Sequence, residues 1–185
     1  MVPALFLDRD GVIIENRADY VRSWEDVYVF PQALAALVKS SASPYKIILI
    51  TNQSVVGRGL ITLERAWEIN SRLVDGIRAA GGRVDGVYMC PHSPEQECDC
   101  RKPKPGLILQ AARELEIDLG RSIMIGDALT DIMAGQAAGV GHLAIVRSGR
   151  GAKQVTLPRS DHLAPFLEFD TLADALDKLL PEGEG

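Results

Sequence analysis

Val2-Pro3-Ala4-Leu5-Phe6-Leu7-Asp8-Arg9-Asp10-Gly11 opens the chain with an apolar run that ends in two carboxylates and a glycine. Residues 2–7 are typical of a buried β-strand, and Asp8 and Asp10 leave its end two positions apart, so that both side chains can face one pocket. An ionised carboxylate avoids a dry interior unless it is paired or binds a metal. The stretch therefore indicates a hard cation and a nucleophile at the end of a strand. An Asp-x-Asp pair by itself is more often a strand end with solvated acids, so this hypothesis depends on the remaining sequence.

The rest of the chain alternates between short apolar runs and amphipathic helical patterns. The predicted strands are residues 2–7, 46–51, 83–89, 122–126, 143–146 and 163–167. The predicted helices are residues 31–41, 62–80, 105–115, 130–138 and 171–180. Because the strands are continuous apolar runs, the pattern favours an α/β fold with a doubly wound, Rossmann-like parallel sheet covered on both faces. We predict a single domain over residues 1–181 and a flexible Gly/Glu tail over residues 182–185.

Composition argues against several classes of function. The chain has 185 residues, of which 46% are hydrophobic, enough for one well-packed core. A net charge of −5 with scattered Lys and Arg argues against nucleic acid as a partner. No apolar run approaches the ~20 residues of a membrane span, and the N-terminal run is too short for a secretory signal. We expect a cytoplasmic monomer that binds neither nucleic acid nor membrane.

Polar groups also follow the other predicted strands, at the edge of the sheet where ligands bind in such folds. The hydroxyl and amides of Thr51-Asn52-Gln53-Ser54 can hold phosphate oxygens, and Lys102 can offset the charge of a phosphoryl group. Gly126-Asp127, with Asp131 one helical turn later, adds the oxygen ligands that Mg²⁺ prefers. Taken singly, each feature has a plainer explanation: a polar loop, a solvated lysine and, for Asp131, an acid that interacts with a helix dipole.

The three cysteines lie within eleven residues, in a loop over residues 90–104. Cys90, His92, Cys98 and Cys100 offer three thiolates and one imidazole, a closed set suited to tetrahedral Zn²⁺. A metal with no open position would brace the loop and would not activate water. Free structural cysteines beside a chance histidine, or a Cys90–Cys98 disulfide, are the alternatives. His142 and His162 have no such partners in the sequence, and we interpret both as structural.

In order, Asp8-x-Asp10, Thr51, Lys102 and Asp127 resemble the four motifs of the haloacid dehalogenase-like phosphatases over most of the chain. The resemblance implies that fold, with Asp8 as the nucleophile and Asp10 as the general acid/base. It implies that Thr51 and Lys102 bind the transferred phosphoryl group. It also implies Mg²⁺ held by Asp8, Asp127 and the backbone carbonyl of Asp10.

The zinc loop runs straight into Arg101-Lys102-Pro103, which is similar to the branch of this family that contains heptose-bisphosphate and histidinol-phosphate phosphatases. Two stretches lean towards the heptose enzymes, whereas the five-residue spacing inside the zinc loop is like that of the histidinol-phosphate enzymes. The resemblance implies substrate-binding roles for six residues: Asp19, Tyr20, Asn52, Gln53, Ser54 and Arg101.

The expected activity is Mg²⁺-dependent hydrolysis of a small phosphorylated sugar through an aspartyl phosphate, with a heptose 1,7-bisphosphate cleaved at C7 as the preferred substrate. Histidinol phosphate or another small phosphate ester is the alternative substrate. A non-catalytic zinc-loop binding module is the alternative from another class. Ala128 stands where a Lys or Arg is common after Gly-Asp, which would weaken binding of a second phosphate.

The intervals between the motifs are short. About forty residues separate Asp10 from Thr51, and about fifty separate Thr51 from Lys102. Neither interval leaves room for a folded cap domain beside the predicted helices. We therefore expect a capless phosphatase whose short loops select the substrate.

Overall fold

A computed structural model describes residues 1–180 of the chain, and the predicted tail over residues 182–185 lies outside that part. The six strands are β1 (Ala4–Leu7), β2 (Lys46–Asn52), β3 (Gly86–Cys90), β4 (Ile123–Gly126), β5 (His142–Val146) and β6 (Leu167–Phe169). The helices are α1 (Pro31–Lys39), α2 (Ser54–Gly57), α3 (Leu63–Ala79), α4 (Gly106–Glu114), α5 (Leu129–Ala138), α6 (Gly151–Gln154) and α7 (Leu172–Leu179).

The strands form one parallel sheet in the order β3-β2-β1-β4-β5-β6. The order reverses between β1 and β4, which is the topological switch point of a doubly wound sheet. This arrangement confirms the predicted α/β class and the parallel sheet.

Helices cover the sheet on both faces, which explains why its strands are apolar without alternation. Leu5 and Leu7 of β1 pack in a core cluster with residues of α1, α3 and α7. Ala4 and Phe6, on the opposite face of the same strand, pack in a second cluster with residues of α4 and α5. All four side chains are fully buried.

Caps define several helix boundaries, and those at Thr62 and Gly139 were predicted. The Thr62 hydroxyl accepts a hydrogen bond from the Arg65 amide and begins α3, and Thr171 does the same for α7 through the Asp174 amide. Gly139 ends α5 with a φ of 82°, a conformation that glycine adopts without strain.

Other boundaries differ from the prediction. Residues 163–167 were expected to form the last strand, but it begins only at Leu167. Pro165 lacks an amide proton and therefore cannot donate a hydrogen bond to a neighbouring strand. Leu163 and Phe166 pack against the second core cluster instead. The third strand begins at Gly86, three residues later than expected. The short helices α2 and α6 were not predicted, because four residues are too few to show a helical period.

The carboxyl ends of the strands gather the polar residues of the predicted motifs at one edge of the sheet. Asp8 follows β1, Thr51 lies near the end of β2, Lys102 follows β3 on a loop, and Asp127 follows β4.

Among residues 1–180, no helix has both the length and the apolar character needed to span a bilayer.

Candidate active site

Asp8 and Lys102 form a buried ion pair at the centre of this edge. The Lys102 Nζ donates to Asp8 Oδ1 at 2.6 Å and to the Ile50 carbonyl at 2.9 Å, and it pairs with Asp131 Oδ1 at 2.5 Å. Burial raises the pKa of Asp8 to about 6, against the attraction of the Lys102 ammonium. Burial alone would lower the pKa of Lys102, but Asp131 and Asp8 raise it above its usual value. Lys102 therefore stays charged between two carboxylates.

Asp131 occupies the helix-terminal position that one interpretation of the sequence predicted, and it also pairs with Lys102, which was not predicted; its role as a Mg²⁺ ligand stays a prediction. Its Oδ2 accepts a hydrogen bond from the Ala128 amide at 3.0 Å, so it caps the start of α5, while its Oδ1 holds Lys102. A side chain on Gly126 would overlap the Asp131 carboxylate. The glycine of the Gly126-Asp127 motif therefore leaves the space in which Asp131 reaches Lys102.

Asp10 faces a different set of partners. Arg9 donates to its carboxylate from Nε and Nη2, at 3.0 Å and 3.1 Å, and Gln53 Nε2 donates to its Oδ2 at 2.9 Å. The same Gln53 amide lies 2.8 Å from the Thr51 hydroxyl, which is fully buried. Gln53 thus links the two predicted catalytic residues Asp10 and Thr51.

Asp127 presents one satisfied and one free oxygen. Its Oδ2 accepts hydrogen bonds from Asn16 Nδ2 at 2.6 Å and from the Arg150 amide at 2.9 Å, and the Arg150 guanidinium lies 3.5 Å away. Its Oδ1 is buried and has no hydrogen-bond partner among the described residues. Burial and the nearby Asp8 raise the pKa of Asp127, against the hydrogen bond and charge of Arg150.

The free oxygen is evidence that the site fits a divalent cation. Asp8, Asp127 and Asp131 bring carboxylate oxygens within 4.8 Å of one another, a hard-oxygen donor set of the kind Mg²⁺ requires. An unpartnered buried acceptor is costly, and a cation beside it removes that cost. Gly11, with a φ of 86°, is necessary here because any side chain would overlap Asp127 and Asn16.

The Asn52 side chain forms hydrogen bonds with the backbone of Lys102. Its Nδ2 donates to the Lys102 carbonyl at 3.0 Å, and its Oδ1 accepts from the Lys102 amide at 3.1 Å. This reciprocal pair fixes the loop segment that carries Lys102 to the end of β2. The structure therefore gives Asn52, predicted as substrate-binding, a positioning contact.

A cavity of about 530 Å³ opens above these groups. Five of the six predicted substrate-binding residues line it, namely Tyr20, Asn52, Gln53, Ser54 and Arg101. Asp19 is not among the described residues that line the cavity; its backbone carbonyl accepts from Arg22 instead. Arg101 also donates to the His92 carbonyl at 3.2 Å, which ties it to the cysteine loop.

Several further residues in the cavity wall were missed in the sequence, among them Asn16, Arg17 and Arg150. Arg150 had a usable signal, since Arg147-Ser148-Gly149-Arg150-Gly151 directly follows the predicted fifth strand and so lies at the same sheet edge. Asn16 and Arg17 had none, because they follow an irregular turn whose direction the sequence does not indicate.

The cysteine loop brings its four predicted ligands together. The Sγ atoms of Cys90, Cys98 and Cys100 lie 3.1–3.5 Å apart, and His92 Nδ1 lies 3.3 Å from Cys100 Sγ and 3.6 Å from Cys90 Sγ. Tetrahedral zinc thiolates are separated by roughly 3.8 Å, whereas a disulfide requires about 2.05 Å. The three cysteines are free, so the donor set fits Zn²⁺ and not the disulfide alternative.

The three thiol groups also lie close enough to shift one another's pKa. Burial and the neighbouring Cys100 raise the pKa of Cys90, whereas hydrogen bonds from Cys100 and Cys90 outweigh burial and lower the pKa of Cys98 to about 7. Ionising all three thiols this close together is unfavourable unless a cation neutralises the charge, which agrees with a metal-binding role.

The order and geometry of this site correspond to known phosphatases. A family model described as HAD-hydrolase-like matches residues 99–175. The D-glycero-beta-D-manno-heptose-1,7-bisphosphate 7-phosphatase of Helicobacter pylori strain J99 is 47% identical over 139 residues, which is 74% of this chain and 79% of that relative. The chain belongs to the haloacid dehalogenase-like phosphatases. The predicted resemblance and the prediction of an enzyme are thereby confirmed, against the alternative of a non-catalytic binding module.

Other members of the family match over nearly the full length. The phosphatase of the same name from Neisseria meningitidis serogroup A is 34% identical over 180 residues, covering 96% of this chain and 95% of that relative. Among solved structures, the D,D-heptose 1,7-bisphosphate phosphatase from B. bronchiseptica, complexed with magnesium and phosphate, has a TM-score of 0.89 at 30% identity. The match covers 96% of this chain and 97% of that one.

Proposed function

We propose that this phosphatase hydrolyses the C7 phosphate of D-glycero-D-manno-heptose 1,7-bisphosphate and releases the 1-phosphate. The observation that carries the proposal is the Asp8–Lys102 pair beside the free Asp127 oxygen, at the base of a cavity whose wall holds three arginines. The relatives with this substrate in their names are 34–47% identical to the chain, which supports the same substrate here.

In the first step, an Asp8 carboxylate oxygen attacks the phosphorus and the bond from phosphorus to the C7 oxygen breaks. Asp10 gives its proton to that leaving oxygen, so the product departs as a neutral alcohol. The Lys102 ammonium, held by Asp131, offsets the negative charge on the phosphoryl oxygens. Thr51, anchored through Gln53, supplies a hydroxyl to the same group. The result is a covalent aspartyl phosphate.

In the second step, water attacks the aspartyl phosphate on the face that the alcohol has left. Asp10 takes the proton from this water, which restores its protonated form, and the Asp8 carboxylate is released with inorganic phosphate. Asp8 and Asp127, with the backbone carbonyl of Asp10, would hold Mg²⁺, which when bound neutralises phosphoryl charge and so permits a carboxylate to approach a phosphate dianion.

Arginines in the cavity wall support a substrate with a second phosphate. Arg17, Arg101 and Arg150 line the cavity around the Asp8–Lys102 pair, and guanidinium groups bind phosphate through paired donors. Arg150 brings a cation within 3.5 Å of Asp127, so it stands in for the Lys or Arg that Ala128 replaces in the motif.

Zinc in the cysteine loop, held by Cys90, His92, Cys98 and Cys100, is the second metal of this proposal. It would brace the segment that leads into Arg101 and Lys102. The free thiols also support the cytoplasm as the compartment, because its reducing conditions keep cysteine unpaired. The expected monomer stays a prediction.

The test is phosphate release with Mg²⁺ from a panel of the α and β anomers of the heptose 1,7-bisphosphate, hexose bisphosphates, sugar monophosphates and histidinol phosphate. We expect the highest kcat/KM for a heptose bisphosphate. In ³¹P NMR the sugar product should retain only the signal of its C1 phosphate, beside that of the released inorganic phosphate. The five-residue spacing of the zinc loop favours histidinol phosphate as the second candidate. A higher kcat/KM for histidinol phosphate would replace the heptose assignment.

A further inference from the structure

Arg9 is the one member of Asp8-Arg9-Asp10 to which the proposed chemistry assigns no task. It is 1% exposed and one of the largest fully buried side chains in the described part of the molecule. Burying a guanidinium is expensive unless its donors are satisfied. Its partners should therefore reveal why it is retained beside the reacting carboxylates.

Those partners form a buried chain from helix α3 to Asp10. Arg9 Nη1 donates to Asn70 Oδ1 at 2.7 Å, while its Nε and Nη2 hold both oxygens of Asp10. Asn70 is 1% exposed, and its own amide is oriented by a contact to Met89 Sδ at 3.3 Å. Because the donors of arginine are fixed in one plane, anchoring Nη1 on α3 sets the direction of the other two.

We propose that Arg9, anchored by Asn70, is a positioning residue that fixes the Asp10 carboxyl group for proton transfer to the leaving oxygen. The inference rests on the proposed role of Asp10 as the general acid. An acid acts only within hydrogen-bond reach of the atom it protonates, and a displacement of about 1 Å can cost about 10² in rate. Gln53 Nε2 also donates to Asp10 Oδ2, so the carboxyl group accepts three hydrogen bonds from two residues, Arg9 and Gln53.

A purely structural role for Arg9 predicts a different result from a positioning role. If Arg9 only joins the turn after β1 to α3, its loss slows the reaction of every phosphate ester equally. If it positions the acid, its loss slows esters in proportion to how strongly their leaving group needs a proton. The acidity of the leaving alcohol therefore separates the two roles.

The experiment measures kcat/KM with Mg²⁺ for 4-nitrophenyl, phenyl and benzyl phosphate, whose leaving groups are successively less acidic. The variants are Arg9→Lys, which keeps the charge but loses the fork, and Asn70→Leu, which keeps the arginine but removes its anchor. Asn70→Asp keeps an acceptor for Nη1 and serves as the conservative rescue. Val74→Ala, a buried apolar change on the same helix, is the matched control for weakened packing.

We expect Asp10→Asn to lose about 10²–10⁴ on benzyl phosphate and far less on 4-nitrophenyl phosphate. Arg9→Lys and Asn70→Leu should reproduce this gradient, with a loss of about 10² on benzyl phosphate, and Asn70→Asp should restore most of it. Val74→Ala should lower Tm and shift all three esters alike.

Two results would overturn the inference, and they are distinguishable. Equal losses on all three esters in both Arg9→Lys and Asn70→Leu, beside a gradient in Asp10→Asn, would leave Arg9 with a structural role alone. A flat Asp10→Asn series would remove the acid assignment itself, and the positioning role with it. Neither result depends on which sugar phosphate is the preferred substrate.

Discussion

The surroundings of Asp8 disfavour the ionised form of its carboxyl group but do not prevent it. It is buried beside Asp10, Asp127 and Asp131, and the Lys102 ammonium is its direct counter-charge. Burial dominates and raises the pKa of Asp8 to about 6. Lys102 therefore holds the carboxylate, and a further cation would favour its ionised form, as the proposed role of Asp8 as the nucleophile requires.

Asp8→Asn should abolish turnover and leave the fold intact. The amide has the same shape but cannot form a stable acyl phosphate, and it removes one negative charge from a buried acidic cluster. We expect no detectable phosphate release and a Tm equal to or above that of the wild type, measured by colorimetric phosphate assay and calorimetry. Activity above the limit set by a mock preparation would contradict the proposed nucleophile.

Lys102→Met should damage both rate and stability. Removing the ammonium leaves Asp8 and Asp131 as buried, unpaired carboxylates, which typically costs about 3–5 kcal/mol. The loss of phosphoryl charge stabilisation should lower kcat by roughly 10²–10³. Chemical denaturation and steady-state kinetics measure the two effects.

Lys104→Met is the matched control, two residues along the same loop. Lys104 pairs with Asp99 at 2.9 Å, but both side chains are exposed, so the variant should keep a stability and a kcat close to those of the wild type. Equal effects at Lys102 and Lys104 would show that burial of the pair does not matter.

At the scale of elements, hydrogen bonds join the cysteine loop to β2 and α2. The amide of Gln53 donates to the Cys90 carbonyl at 2.7 Å, and that of Gly57 donates to the Pro91 carbonyl at 2.8 Å. Asn52 completes the connection by clasping the backbone of Lys102. The loop therefore helps to set the position of Lys102, the proposed phosphoryl-binding lysine.

Cys98→Ser should release the zinc that we propose this loop binds. It should also reduce activity, although the changed residue does not contact the substrate. Structural zinc contributes about 10–16 kcal/mol of apparent binding energy in finger peptides, so the loss of one ligand should be plain in metal analysis. We expect less than one zinc per chain, faster amide exchange over residues 90–104 and a lower kcat. Asp99→Ser, an exposed change within the same loop, should retain the zinc. Full zinc occupancy in Cys98→Ser would contradict the ligand set.

The sequence predicted the elements that carry a period and missed those that do not. The first five strands and the long helix that begins after Thr62 were visible as patterns, and so were the acids, Thr51 and Lys102 that follow the strands. Helices α2 and α6 are one turn long and have no period to detect. Asn70 contacts Arg9, and Asn16 contacts Asp127. Each pair is far apart in the sequence and meets only in the folded chain, so the sequence does not indicate either contact.

At the scale of the whole molecule, the parallel sheet concentrates negative charge at one edge. Asp8, Asp127 and Asp131 come from the ends of β1 and β4 and from α5, so folding brings together groups that are far apart in the unfolded chain. Their repulsion is a cost of the folded state, and so is the Asp127 oxygen that has no hydrogen-bond partner among residues 1–180. A bound divalent cation offsets both.

Mg²⁺ should therefore raise the thermal stability of the whole protein. A ligand that binds only the folded state stabilises it by about 2.7 kcal/mol at one hundred times its Kd, which for a chain of this size is a Tm increase of roughly 5–11 °C. Calorimetry of the zinc-loaded protein with and without Mg²⁺, after removal of Mg²⁺ by dialysis, measures the shift. Asp127→Asn keeps the hydrogen bonding of one oxygen but removes the charge, so its Tm should be nearly independent of Mg²⁺. An equal shift in Asp127→Asn and the wild type would place the stabilising cation elsewhere in the molecule.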